Sequence, residues 1–108
     1  EIHIIEKIGD DEPKRMSKVS RALGVTMATL TVACDKLEYK ELVSRQRDNK
    51  DKRVVNVSLT PRGRAVYECH KKFHERMVSA ALADFTPEET EILARSLLKL
   101  QKFLLSEA

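Results

Sequence analysis

A mainly α-helical fold with one small β-hairpin is predicted by three features of this sequence. Three short helical stretches come first, bounded by Gly9, Gly24 and the capping candidates Ser17 and Thr26. Two alternating strands joined by a charged turn follow. Two long amphipathic helices close the chain, each opened by the pair Thr-Pro, at Thr60-Pro61 and Thr86-Pro87.

Each element has a local reason. Ile2, Ile4, Ile5 and Ile8 suit a short, mostly buried helix that ends at Gly9, and residues 10–13 read as a loop. Ser17 is placed to cap the next helix, where Val19, Ala22 and Leu23 make a narrow apolar stripe, and Gly24 stops it. Thr26 can cap a third helix whose Leu30, Ala33, Cys34 and Leu37 recur at helical spacing on one buried face. Residues 42–47 and 53–59 read as strands, with Val55, Val57 and Leu59 alternating with Asn56 and Ser58. After Thr60-Pro61 a long helix carries Val66, His70, Phe73, Met77 and Ala81 along one stripe. Glu89 is set for a capping box with Thr86, and Leu93, Leu97, Leu100 and Leu104 form the seam of a helix built to pack on another helix.

Composition narrows the function classes. With 108 residues, 42% of them apolar, the chain has room for one domain, or for a domain plus an appendage, and buries only about 65% of its unfolded surface, so pairing of subunits would add stability. Three Gly and three Pro argue against collagen, disorder and a low-complexity linker. No apolar run approaches the roughly 18 residues of a membrane span, and no membrane partner is expected. Lys and Arg exceed Asp and Glu by 20 to 17, a net charge of +3 that permits nucleic-acid binding without showing it. Two cysteines make no disulfide framework, which fits a reduced, cytoplasmic setting.

Two short helices joined by Gly24-Val25 are the helix-turn-helix arrangement, whose second helix enters the DNA major groove. The face opposite Leu30 and Leu37 carries Ala28, Thr31, Val32 and Asp35, with Met27 and Thr29 beside it. These short side chains let a helix sit close to base edges, and Thr, Val and Ala methyls can meet thymine methyls. No Arg projects from the first two turns, so A·T-leaning sites are expected. The basic hairpin behind this unit reads as a wing. Arg45, Arg47, Lys50, Lys52 and Arg53 fall within nine residues, and Asp48 is expected to pin a wing arginine such as Arg53 rather than touch phosphate. The candidate DNA contacts are therefore Ser17, Thr26, Met27, Ala28, Thr29, Thr31, Val32, Lys36, Lys50, Lys52 and Arg53. The fold class is a winged helix-turn-helix with C-terminal dimerisation helices. Residues 1–60 would form the DNA-binding lobe and 61–108 the helical dimerisation region, in one continuous domain.

The run Arg47-Asp48-Asn49-Lys50-Asp51-Lys52-Arg53, then Val55, Val57 and Leu59-Thr60-Pro61-Arg62-Gly63, resembles the wing signature of the MarR family of regulators. Leu37-Glu38-Tyr39-Lys40-Glu41-Leu42-Val43 is similar to the end of that family's recognition helix, with Glu41 where a glycine is usual. The resemblance runs from about residue 2 to 105. It implies a homodimer that binds double-stranded DNA at a palindromic operator, acting as a repressor. The family's first helix has no counterpart here, which leaves dimerisation to residues 66–81 and 93–104. Gly63-Arg64, His70-Lys71-Lys72-Phe73-His74 and Met77 are similar to the family's streptococcal-type branch that represses fatty-acid synthesis genes. That likeness implies a long-chain acyl-acyl carrier protein as corepressor, with Ile4, Ile5, Ile8, Val66, His70 and Phe73 as candidate pocket residues. Arg64, Lys71, Lys72 and Arg76 would face the acidic carrier.

Other chemistries compete. His70 and His74 lie four apart and could reach one metal, with His3 as the distant ligand, but the metalloprotease pattern fails because Lys71 follows the first His. Cys34 lies on the buried stripe, whereas Cys69 beside Lys71 and Lys72 is the better thiol-sensor candidate. A zinc- or redox-responsive regulator of the same fold is thus one alternative, and a winged-helix module for protein binding is another. No metal and no cofactor is assigned. There is no Gly-rich phosphate loop and no Ser elbow, so no enzyme is expected.

Overall fold

The computed structural model describes residues 1–107. Its elements are α1 (Ile2–Ile8), β1 (Lys14–Arg15), α2 (Met16–Leu23), α3 (Met27–Tyr39), β2 (Val43–Arg47), β3 (Val55–Leu59), α4 (Pro61–Ala81) and α5 (Pro87–Glu107). The strands form one antiparallel sheet in the order β1-β3-β2. The fold class is that read from the sequence, with one addition. The loop before α2 contributes a third strand, Lys14 opposite Val57 and Arg15 opposite Asn56.

That pairing explains a correction at α2. Arg15 takes the extended conformation of the N-cap and no side chain caps the helix, so Ser17 lies inside the first turn and is not its cap. The buried stripe is also shifted. Met16, Val19 and Ser20 are buried and Leu23 is partly so, while Ala22 is exposed. Ser20 tolerates burial because its hydroxyl donates to the Ser17 carbonyl at 3.0 Å.

Both helix ends around the turn are settled by backbone bonds. At the end of α2, Val25 N donates to Ser20 O and Gly24 N to Arg21 O, with Gly24 left-handed at φ 69°. This is the Schellman closure that glycine makes without strain. The end of α3 repeats it, with Leu42 N donating to Leu37 O and Glu41 N to Glu38 O. Here the left-handed residue is Glu41, at φ 61°, which carries a Cβ into a region where it is disfavoured.

The core is assembled from α1 (Ile5, Ile8), α2 (Met16, Val19), α3 (Leu30, Cys34, Leu37) and the inner face of the sheet (Val43, Val57, Leu59). The α3 stripe is the one its periodicity predicts, with Ala33 half-buried beside it. At the start of α4, Gly63 N donates to Thr60 Oγ1 at 3.0 Å, and that hydroxyl donates to Glu41 O at 2.6 Å. A Cβ on Gly63 would stand 2.0 Å from Leu42 O. The close approach ties α4 to the turn after α3 and requires glycine there.

The chain divides into two compact units, 1–72 and 73–108, with the division falling inside α4. The first turns of α4 belong to the winged unit, because Val66 and Tyr67 pack against its core. The second unit holds the end of α4 and all of α5, whose Thr86–Glu89 capping box forms as read from the sequence. Thr86 N donates to Glu89 Oε1 at 2.9 Å and Glu89 N to Thr86 Oγ1 at 3.2 Å. No residue of α5 is buried.

Candidate nucleic-acid interface

α3 is a 13-residue helix, about 20 Å long, with its buried side sealed by Leu30, Cys34 and Leu37. Its other side is open. Thr26, Met27, Ala28, Thr29, Thr31, Val32 and Lys36 are all exposed, Val32 to 59%. A methyl-rich surface so open to water is available to a partner. Thr26 Oγ1 accepts from Thr29 N at 3.1 Å and donates to Thr29 Oγ1 at 2.9 Å. The first turn is therefore fixed, while the Thr29 hydroxyl keeps its own proton to give. The backbone N–H groups of this turn add a partial positive charge suited to phosphate. Ser17, at the start of α2, is exposed as well.

The wing is built by carboxylates acting on its turn. Asp48 Oδ2 accepts from Lys50 N at 3.0 Å and Asp51 N at 3.1 Å, and its Oδ1 accepts from Asn56 Nδ2 at 3.1 Å. The Asn56 amide, then these backbone N–H groups, hold the Asp48 carboxyl below the usual aspartate range. Asp48 thus closes the turn and does not pin Arg53. That task belongs to Asp51, whose Oδ1 lies 3.1 Å from Arg53 Nε and whose Oδ2 lies 3.3 Å from Nη2. Hydrogen bonds from Arg53 hold the Asp51 carboxyl low. The Arg53 side chain is 91% exposed, so the pair aims a guanidinium outward without hiding it. Lys50 and Lys52 are exposed on the same turn.

Two arginines of the predicted basic cluster are engaged elsewhere. Arg47 Nη1 donates to Lys52 O at 2.8 Å and braces the turn. Arg45 Nη2 donates to Asp35 Oδ1 at 2.5 Å and Glu38 Oε1 at 3.1 Å, joining β2 to α3.

The arrangement is a helix with a short-chained open face beside a braced cationic hairpin. Known proteins are similar to the chain that carries it. The sequence profile of the MarR family matches residues 1–55. The solved structure of Streptococcus pneumoniae FabT in complex with DNA superposes with a TM-score of 0.91 at 34% identity, covering 99% of this chain and 75% of that one.

This chain belongs to the MarR family.

Within the family it is 28% identical to the HTH-type transcriptional regulator PchR of Bacillus subtilis, over 98% of this chain and 64% of PchR. A MarR protein from Peptoclostridium difficile superposes with a TM-score of 0.78 at 27% identity, covering 98% of this chain and 69% of that one. The chain spans 64% of PchR and 54% of YhjH of the same bacterium, less than two thirds of either.

Four of the six candidate pocket residues share one apolar cluster. Ile5 and Ile8 are closed into the core of the winged unit, and Ile4 and Val66 pack against it. His70 is half-buried and pairs with Glu6. Phe73 is 54% exposed on α4. A cavity of about 470 Å³ on the outer face of the sheet is lined by other residues, among them Ser44, Gln46, Asn56 and Ser58. Cys34 is buried, and burial pushes its thiol pKa up, which suits inert packing. Cys69 is exposed. Tyr39, 89% exposed at the far end of the α3 face, was missed by sequence reasoning; its place two turns beyond Val32 was the available signal.

Proposed function

We propose that this chain is the DNA-reading and subunit-pairing part of a transcriptional regulator. It binds double-stranded DNA as a homodimer on a palindromic operator and acts as a repressor. The observation that carries this reading is the open face of α3 lying in one unit with Arg53, an exposed guanidinium steered by Asp51. Residues 17–38 enter the major groove, and the 43–59 hairpin follows the backbone into the minor groove with Lys50, Lys52 and Arg53. The similarity to FabT, solved in complex with DNA, supports the same assignment. Such work is done where chromosomal DNA is, the cytoplasm of a bacterium. Among the described residues no helix is long and apolar enough to cross a membrane.

Pairing is assigned to residues 61–105. In the second unit Leu97, Leu98, Leu100, Phe103, Leu104 and Leu105 of α5 are each more than half exposed, and no residue of that helix is buried. An apolar helix left bare in this way matches a second copy of itself. A two-fold dimer sets its recognition helices about 34 Å apart, one duplex turn, and a ligand acts by favouring or opposing that spacing. Binding should weaken steeply with salt, with log affinity falling by about 0.9 for each neutralised phosphate per decade of salt. Fluorescence anisotropy on a random-sequence duplex at two salt concentrations checks this, and a chain that binds no duplex is a protein-binding module instead.

The narrower reading, control of fatty-acid synthesis genes with a long-chain acyl-acyl carrier protein as corepressor, is supported by the resemblance of residues 63–77. Arg64, Lys71, Lys72 and Arg76 are exposed on α4, as a basic docking surface for an acidic carrier requires. Mass spectrometry of co-purified ligand tests it, since a long-chain acyl species is required.

A further inference from the structure

The charge pattern of α3 poses a problem for a helix that approaches DNA. Asp35 sits two turns beyond Ala28, on the stripe that carries the open face, and its side chain is 61% exposed. Glu38 follows one turn on, 45% exposed. Duplex DNA carries about one negative charge per 1.7 Å, so two bare carboxylates there would oppose docking.

Arg45 answers this. Strand alternation puts it on the same face of β2 as Val43, toward α3, and its side chain is only 18% exposed. Its guanidinium donates to Asp35 Oδ1 and Glu38 Oε1, and its own backbone N–H donates to Glu38 Oε2 at 3.3 Å. The Arg45 hydrogen bond holds the Glu38 carboxyl below its usual range, and the two carboxylates hold the Arg45 proton more tightly than usual. One buried-side cation thus serves two anions and links the reading helix to the strand that leads into the wing. A lysine could supply the charge but not the fork.

We infer that Arg45 is a positioning residue for DNA reading, which cancels Asp35 and Glu38 on the recognition helix and sets that helix against the wing without touching phosphate itself. The inference rests on the DNA-reading proposal and deepens it. Arg45 then differs in kind from Arg53, Lys50 and Lys52, although sequence places all four in one basic cluster.

The test uses the full chain, a duplex selected by the unaltered protein from a random library, and a random duplex. Arg45→Met should lower affinity for the selected duplex about thirtyfold while the slope of log affinity against log salt stays unchanged, since no phosphate contact is lost. Arg45→Met/Asp35→Asn/Glu38→Gln should return to within about fivefold of the unaltered chain, because the uncompensated anions are gone. A slope reduced by about 0.9 would make Arg45 a phosphate contact, and failure of the triple variant to recover would make its role packing alone; either overturns the inference. Unchanged affinity of Arg45→Met overturns it too. Should Arg45→Met not fold, Asp35→Asn/Glu38→Gln keeps oxygen acceptors for the guanidinium and leaves its charge uncancelled. The ratio of selected to random affinity should then fall at least threefold, because two negative charges are removed and random duplex is attracted more strongly, and an unchanged ratio contradicts the proposal. An unaltered chain that binds neither duplex removes the DNA-reading proposal first, which separates the two failures.

Discussion

The two units of this chain treat their apolar residues in opposite ways. In the winged unit, side chains from three helices and the sheet close on one another, and Ile8, Cys34, Leu37 and Val57 lose all contact with solvent. From residue 73 to 107 nothing is buried, although α5 carries as regular a leucine seam as any helix of the lobe. Periodicity states that a face must be covered. It does not state whether the cover comes from the same chain. The winged unit closes its own core and leaves polar and small groups on its surface. The second unit leaves leucine and phenylalanine exposed, and under the proposed pairing a second copy covers them.

The largest break in this contrast comes from Gly63→Ala. Its methyl would overlap Leu42 O, so the winged unit should lose about 3 kcal/mol or more, read as a lowered midpoint in urea unfolding. Next, Leu97→Asp/Phe103→Asp should leave the far-ultraviolet spectrum of the lobe intact but raise the dimer dissociation constant roughly a hundredfold, read by sedimentation equilibrium. The two variants together separate the units: one damages folding, the other only pairing. The smallest effect runs the other way. Glu41→Gly relieves the left-handed Cβ at the end of α3 and should stabilise the lobe by about 1 kcal/mol, raising its melting temperature by about 4 °C.

Legibility in the sequence followed the range of the interaction. Thr26 with Leu30, Cys34 and Leu37 define α3 within four turns, and Thr86 with Glu89 opens α5 within one, so both were readable. Glu41 stood out against the family pattern, and the structure supplies its physical cost. Ser17 misled, because the start of α2 is set by Arg15 pairing with Asn56 some forty residues on, which no local signal announces. The wing showed the same limit in small. Asp48 and Asp51 are both near Arg53 in sequence, and only the curvature of the turn gives Arg53 to Asp51 and the turn amides to Asp48. In sequence Arg45 looks like one more wing base, since its partners are seven and ten residues away on another element. Exposure separated the bases that remain available from those already engaged, and exposure is a tertiary property.

Under the proposed function the open face of α3 lies against nucleobases. Ala28 is a small residue in the first turn of that face, exposed and without a role in the core. The most direct measurement is the affinity of Ala28→Glu for the selected duplex, with sedimentation and thermal melting run on the same sample. A loss of at least about a hundredfold is expected, with dimer and melting temperature unchanged, because bulk and negative charge would meet base edges and phosphate. Tight binding by that variant would show that another surface of the lobe meets DNA.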